Sequence, residues 1–230
     1  MTIRLYDLAG ADERCRFSPF CWRTRLALAH KGLEVETIPW RFTDKAKLPE
    51  PSNGRVPVIV DGDRVVHDSW AIAEYLEDQY PDSPSLFPAG AGRPVALFLN
   101  TWADTVLNPA VAKLVVSDIT DRLHAADLTY FRMSREKRFG MPLEQVTAER
   151  DAALPGFRKL LEPLRQPLRR VPFLGGEAPA YADMIVFGAF QWARVVSPFE
   201  LLAADDPVAA WRERMLDLHG GLARAVPGRG

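Results

Sequence analysis

Sulfur is scarce in this chain: two cysteines, Cys15 and Cys21, are all it has, too few for a disulfide framework. A reducing compartment, the cytoplasm, is therefore the expected setting. No apolar run approaches the roughly 20 residues that a membrane-spanning helix requires. The N-terminal residues carry nothing like a secretory signal and the closing A-V-P-G-R-G no lipidation signal, so no membrane partner is expected. Charge of one sign is also missing. With 29 basic residues against 30 acidic ones the formal charge is -1, which leaves no global basic field to hold nucleic acid. His30, His67, His124 and His219 stand apart without paired spacing, so no metal site is expected. What is present is a composition ordinary for a soluble protein, 47% hydrophobic and 26% charged, in 230 residues that suit two modest domains. Small molecules and proteins are the partners it favours.

Along the chain, T-I-R-L-Y-D-L (2 to 8) alternates Ile3, Leu5 and Leu8 with polar neighbours and reads as a strand. Ser18 before Pro19 has the form of a helix N-cap, and the helix it opens keeps Cys21, Leu26, Leu28 and Ala29 on an apolar side until Gly32 stops it. E-V-E-T-I-P-W makes a second strand, and an irregular stretch from Arg41 to Arg55 follows. P-V-I-V and R-V-V-H form a hairpin with Asp61-Gly62 at the turn. Asp68-Ser69 opens a helix that ends before Pro81. This β-α-β-loop-β-β-α order over residues 1 to 80 is that of a thioredoxin-like domain. Residues 81 to 94, dense in proline, glycine and serine, read as a linker. From 95 to 230 the periodicity is helical, at 95–116, 143–170, 182–196 and 207–218, so the second domain is all-helical.

The chemistry gathers around S-P-F-C-W-R-T-R (18 to 25), which has the outline of a C-P-x-C redox motif with serine in place of the first cysteine. A thiol near pKa 8.5 is reactive as the thiolate, and the free N–H groups at a helix N-terminus favour that anion. Without sulfur of its own at position 18, such a site could still stabilise a thiolate brought in by a ligand, with Arg16, Arg23 and Arg25 nearby in sequence. Pro57, entering a hairpin strand and expected cis, leaves the backbone of Val56 free to pair with an extended peptide. Asp68 can meet an ammonium, and Ser69 with the N–H groups beside it a carboxylate. The three together describe a pocket for a zwitterionic, cysteine-containing tripeptide.

S-P-F-C-W-R-T-R-L-A-L, G-R-V-P-V-I-V-D-G-D and D-S-W-A-I-A-E-Y-L-E resemble the N-terminal signature of the cytosolic glutathione transferases, and the helical half extends the likeness over nearly the whole chain. W-R-T-R-L-A-L-A-H-K-G-L and P-A-Y-A-D-M-I-V-F-G-A-F-Q-W are most similar to the bacterial β-etherase and fungal etherase-like branch. The resemblance implies a βαβαββα thioredoxin-like domain with glutathione as co-substrate and a homodimer. It makes Ser18 the hydroxyl that holds the glutathione thiolate, Val56 beside cis Pro57 the cysteinyl clamp, and Asp68 and Ser69 the γ-glutamyl site. Arg55 is the candidate for the glycine carboxylate, with Arg41 and Lys45 as alternatives. Trp102, Val106 and Tyr130 are candidates for the electrophile pocket between the domains. Asp183 matches an acidic helix-capping position of the family, but Ala180 three residues earlier cannot complete the box.

Plainer readings stand beside these. Ser18 alone is an N-cap, Cys21 a packing residue, Cys15 an exposed loop thiol, and R-M-S-R-E-K-R (132 to 138) a solvated helix face. Two other functions fit the same residues: a non-catalytic binder of glutathione or hydrophobic ligands, and a thiol-disulfide reductase using Cys21.

Overall fold

A computed structural model describes residues 2–229. Strand β1 (Ile3–Leu8) lies at the middle of a four-stranded sheet of order β2-β1-β3-β4. It runs parallel to β2 (Val35–Trp40), from Ile3 opposite Val35 to Leu8 opposite Trp40. Parallel neighbours need a crossover, and α1 (Pro19–His30) supplies it, with Ser18 as its N-cap and Pro19 in its first turn. Gly32, at φ +68°, turns the chain out of the helix. The expectation of one apolar side falls short, because α1 is buried on nearly every face, Arg23 and Thr24 included. The second domain covers what the sheet does not.

Between β2 and β3 (Val58–Asp61) the helix of a βαβαββα order shrinks to one 3-10 turn, Lys45–Lys47. Pro49 and Pro51 lack the amide hydrogens that a longer helix would need there. β3 pairs antiparallel with β1 and with β4 (Arg64–His67). Asp61 pairs with Arg64, so the hairpin loop is Gly62-Asp63, one residue later than Asp61-Gly62, with Gly62 at φ +57°. α2 (Ser69–Gln79) follows at once. Its tyrosines Tyr75 and Tyr80 both donate to the Asp61 carboxylate, which ties the helix to the hairpin.

The second domain begins with α3 (Gly92–Trp102), which starts inside the stretch 81–94 read as a linker. α3 runs through a π-helical turn (Ala103–Leu107) into α4 (Asn108–Val115) and a 3-10 segment (Ser117–Arg122). α5 (Ala125–Phe139) was not among the helices expected, although the basic run 132–138 lies on it. The stretch 143–170 divides into α6 (Leu143–Thr147), α7 (Arg150–Leu160) and α8 (Glu162–Leu168). α9 (Tyr181–Val196) and α10 (Pro207–Gly221) complete the bundle, α10 breaking from helical geometry at Leu218–Gly220.

α9 is the central pillar: all its residues except Trp192 and Arg194 are buried. Each large apolar side chain hidden this way contributes about 1.5–3 kcal/mol. α9 also packs on α1, closely enough that a Cβ on Gly188 would lie 2.4 Å from the Pro19 carbonyl oxygen. The half-formed capping box is corrected by tertiary structure. Asp183 accepts from the N–H groups of Leu174 (2.7 Å), Gly175 (2.9 Å) and Ala180 (3.0 Å) and from the indole of Trp211 (2.8 Å). Burial pushes this carboxyl above its usual range, and those four donors oppose the shift. Cys15, expected in the open, is buried, its thiol raised by desolvation. Two of the separated histidines meet: the His30 and His219 rings stand edge-on at 6.1 Å, both held below the usual imidazole range by burial.

Candidate active site

One end of the sheet gathers the residues expected to meet a tripeptide. Tyr6 near the end of β1 pairs with Val58, and Val58 pairs with His67. Val56 and Pro57 stand just before that rung, Asp68 and Ser69 just after it, and the loop leaving β1 leads to Ser18. This is the carboxyl end of the parallel pair, where α/β sheets place their ligands.

Ser18 is 5% exposed, and its Oγ accepts from the Cys21 N–H at 3.2 Å. Among the described residues its own hydrogen has no partner but the Cys21 sulfur, a weak acceptor when protonated. Cys21 is that protonated thiol: burial, and then the neighbouring Asp7 carboxylate, raise it well above the usual thiol range. The Phe20 N–H finds no partner among the described residues. The helix end therefore keeps donors to offer.

The three arginines near Ser18 in sequence are engaged elsewhere. Arg16 and Arg25 turn to the buried Asp7, at 3.7 and 3.3 Å, and Arg23 reaches Asp104 at 2.7 Å and Asn100 at 2.8 Å in the second domain. Asp7 itself is raised by burial against the pull of Arg25 and Arg16. No unpaired arginine on α1 is left to stabilise an incoming anion, so that work falls to the helix N-terminus.

The Val56–Pro57 bond is cis, and among the described residues neither the N–H nor the carbonyl of Val56 has a backbone partner. Asp68 sits at φ +75°, a conformation that costs a non-glycine residue about 1–3 kcal/mol. Its Oδ1 accepts from Trp70 and Ala71 N–H groups at 2.9 and 3.1 Å, and its other oxygen makes no bond among the described residues. Ser69 is buried, and its carbonyl accepts from the Tyr181 hydroxyl at 2.6 Å, a cross-domain bond that anchors the start of α2 to α9. Of the basic candidates, Arg41 is committed to Asp44 at 3.3 Å, whereas Arg55 and Lys45 form no ion pair among the described residues.

The second domain closes on this end through the loop after β2. Thr43 donates from its N–H (2.9 Å) and hydroxyl (2.8 Å) to the buried Asp127 of α5. Phe42 then sits 6.3 Å from Phe17, the neighbour of Ser18, 6.0 Å from Tyr130 and 5.7 Å from Phe131. Tyr130 thus joins an aromatic wall beside the site. Trp102 and Val106 lie on another element, beside the residues that grip Arg23, and no ring contact joins Trp102 to Tyr130 among the described residues. Sequence reading missed Phe17, Phe42 and Arg135. Arg135 lies over both the Phe42 and Phe131 rings, at 5.4 and 5.0 Å. The spacing Asp127, Phe131, Arg135, every fourth residue of a helix, was the signal for an inward stripe.

Known proteins carry the same pattern. Residues 17–79 match the family model for the glutathione S-transferase N-terminal domain, and residues 95–218 that for the C-terminal domain. Over 70 residues the chain is 46% identical to glutathione S-transferase Z1 of Arabidopsis thaliana, a match that spans 28% of this chain and about a third (31%) of that protein. A glutathione S-transferase of Ceriporiopsis subvermispora, solved in complex with glutathione, superposes with a TM-score of 0.76 at 25% identity, covering 98% of both chains. The β-etherase LigF of Sphingobium sp. strain SYK-6 shares the fold at 21% identity, with a TM-score of 0.69 over 97% of this chain and 99% of that one. With both halves of the chain matched in order, this protein belongs to the glutathione S-transferase family.

Proposed function

We propose that this chain is a glutathione transferase in which the glutathione thiol ionises at the N-terminus of α1, held by the Ser18 hydroxyl. The thiolate then attacks an electrophilic carbon. On an aryl ether the sulfur forms a C–S bond, the C–O bond breaks, and the departing phenoxide takes the electron pair and a proton from water. The observation that carries this reading is the unspent Ser18 hydroxyl, at a helix end whose arginines are all engaged elsewhere. Val56 clamps the cysteinyl backbone, Asp68 and Ser69 hold the γ-glutamyl end, and Arg55, with Lys45 beside it, meets the glycine carboxylate. Residues 1–80 carry glutathione and residues 95–230 the electrophile, with Trp102, Val106 and Tyr130 as candidate pocket residues. Breakdown or detoxification of aromatic compounds in the cytoplasm is the setting this chemistry suits. Val95, Leu97 and Phe98 of α3, at 52%, 47% and 70% exposed, are among the apolar residues available for the expected homodimer, which sedimentation would test.

Cys21 does not suit a reductase, because its thiol is fully buried and held protonated. Ser18→Ala is expected to lower kcat/KM on the order of a hundredfold, the scale of one lost transition-state donor, while calorimetry shows glutathione still bound. Unchanged turnover would refute the role of Ser18. Glutathione bound without ionisation in the unaltered protein would favour the non-catalytic carrier.

A further inference from the structure

The cleft wall carries more positive charge than a tripeptide uses. Once the γ-glutamyl carboxylate has gone to α2, glutathione has one carboxylate left, that of its glycine. Yet Lys45, Arg55 and Arg135 all lack a carboxylate within ion-pair distance among the described residues, whereas Arg41 and Lys47 share Asp44, and Arg132 has Glu136 and Glu144. Lys45 lies over the Tyr130 ring at 5.2 Å, and Arg55 is exposed on the loop before Pro57.

Arg135 is the odd member. It is half-buried with its guanidinium over two phenyl rings, and among the described residues its one side-chain hydrogen bond runs from Nη1 to Ser134 Oγ at 2.9 Å. An arginine has five N–H donors, so most of its donors are unspent. Burial lowers its affinity for its proton, and Arg138 and Arg55 add to that effect against the opposing Tyr130. A desolvated cation beside other cations is costly unless an anion arrives to balance it. Two steps, 6.3 Å from Phe17 to Phe42 and 5.4 Å from Phe42 to Arg135, separate the neighbour of Ser18 from this guanidinium. Phe42 is the ring that the two share.

Building on the proposed transferase reaction, we infer that the electrophile is an aromatic carboxylate, its ring lying on Phe42 and its carboxylate paired with Arg135. Arg135 is then the residue that selects acceptor charge. Lys45 and Arg55 remain for the glycine carboxylate.

The test uses a matched pair, a nitro-activated chlorobenzoate and its methyl ester. In both, the glutathione sulfur bonds to the ring carbon and chloride leaves with the bonding electrons. The unaltered protein is expected to favour the acid in kcat/KM about tenfold, the scale of a charge-assisted hydrogen bond. Arg135→Gln removes that preference by raising KM for the acid far more than for the ester, with the KM for glutathione unchanged, and Arg135→Lys restores part of it. Equal losses on acid and ester, a preference for the ester, or a rise in the glutathione KM alone would each overturn the inference. Calorimetry with a nitrobenzoate that lacks the chloride reads the same site without chemistry. Binding that is absent, or unchanged in Arg135→Gln, also overturns it, whereas binding lost in Arg135→Gln from a protein that fails to ionise glutathione supports it and sinks only the proposed reaction.

Discussion

Of the helix starts that carry a polar side chain, those of α9 and α1 use it in opposite ways. At α9, Asp183 is 0% exposed and accepts four hydrogen bonds, from Leu174 and Gly175 of the loop before it, from the N-cap Ala180 and from Trp211 of α10. At α1, Ser18 accepts one bond and leaves its hydrogen to a weak sulfur acceptor. A saturated cap is a staple, since removing it orphans every donor it satisfied. An unsaturated cap beside free N–H groups is a site, because a ligand can complete it at little reorganisation cost. Both helices meet at Gly188 and Pro19, so the staple holds the site in place.

The comparison can be broken from either side. Asp183→Ala is expected to cost the most stability, about 3–5 kcal/mol, because it leaves buried donors unmet, and a thermal melt should show it. A loss no larger than that of Ser18→Ala, near 1 kcal/mol for an ordinary cap, would erase the distinction. Gly188→Ala drives a methyl against the Pro19 carbonyl and is expected to cost about 1–3 kcal/mol, the range for overpacking. It should also weaken glutathione binding, since the displaced backbone is the turn that carries Ser18. Cys21→Ala is the mildest, about 1 kcal/mol for one lost buried heavy atom, with turnover kept in a steady-state assay. Turnover lost there would return the reductase reading.

How far these features could be read from the sequence follows the range of the interactions. β1, α1, β2, the hairpin and α2 are local: period-two alternation, Ser18-Pro19, Gly62 and Asp68-Ser69 announce them within a few residues. The proposed first-domain ligand residues were legible as caps and turns for the same reason, since each sits at a cap or turn with its own chemical signature. α5 was not, because charges crowd it and only Leu128 and Phe131 mark its apolar side near the middle. The Trp211 partner of Asp183 and the Asp104 partner of Arg23 lie 28 and 81 residues away, the His30–His219 pair joins distant parts of the chain, and Cys15 is buried. No local pattern reports such contacts. The basic run 132–138 shows the boundary best: Arg132, Lys137 and Arg138 are the solvated face expected, and Arg135, turned inward by helical spacing, is the exception that only the rings of Phe42 and Phe131 reveal.

The central claim is that the start of α1 converts a borrowed thiol into a thiolate. Titrating the ultraviolet thiolate absorbance of bound glutathione against pH, in the unaltered protein and in Ser18→Ala, reads it directly. The account expects ionisation well below the free-thiol range near 8.5, shifting back toward that range when the hydroxyl is removed. Ionisation at the same pH as free glutathione, or a low value indifferent to Ser18, would contradict it.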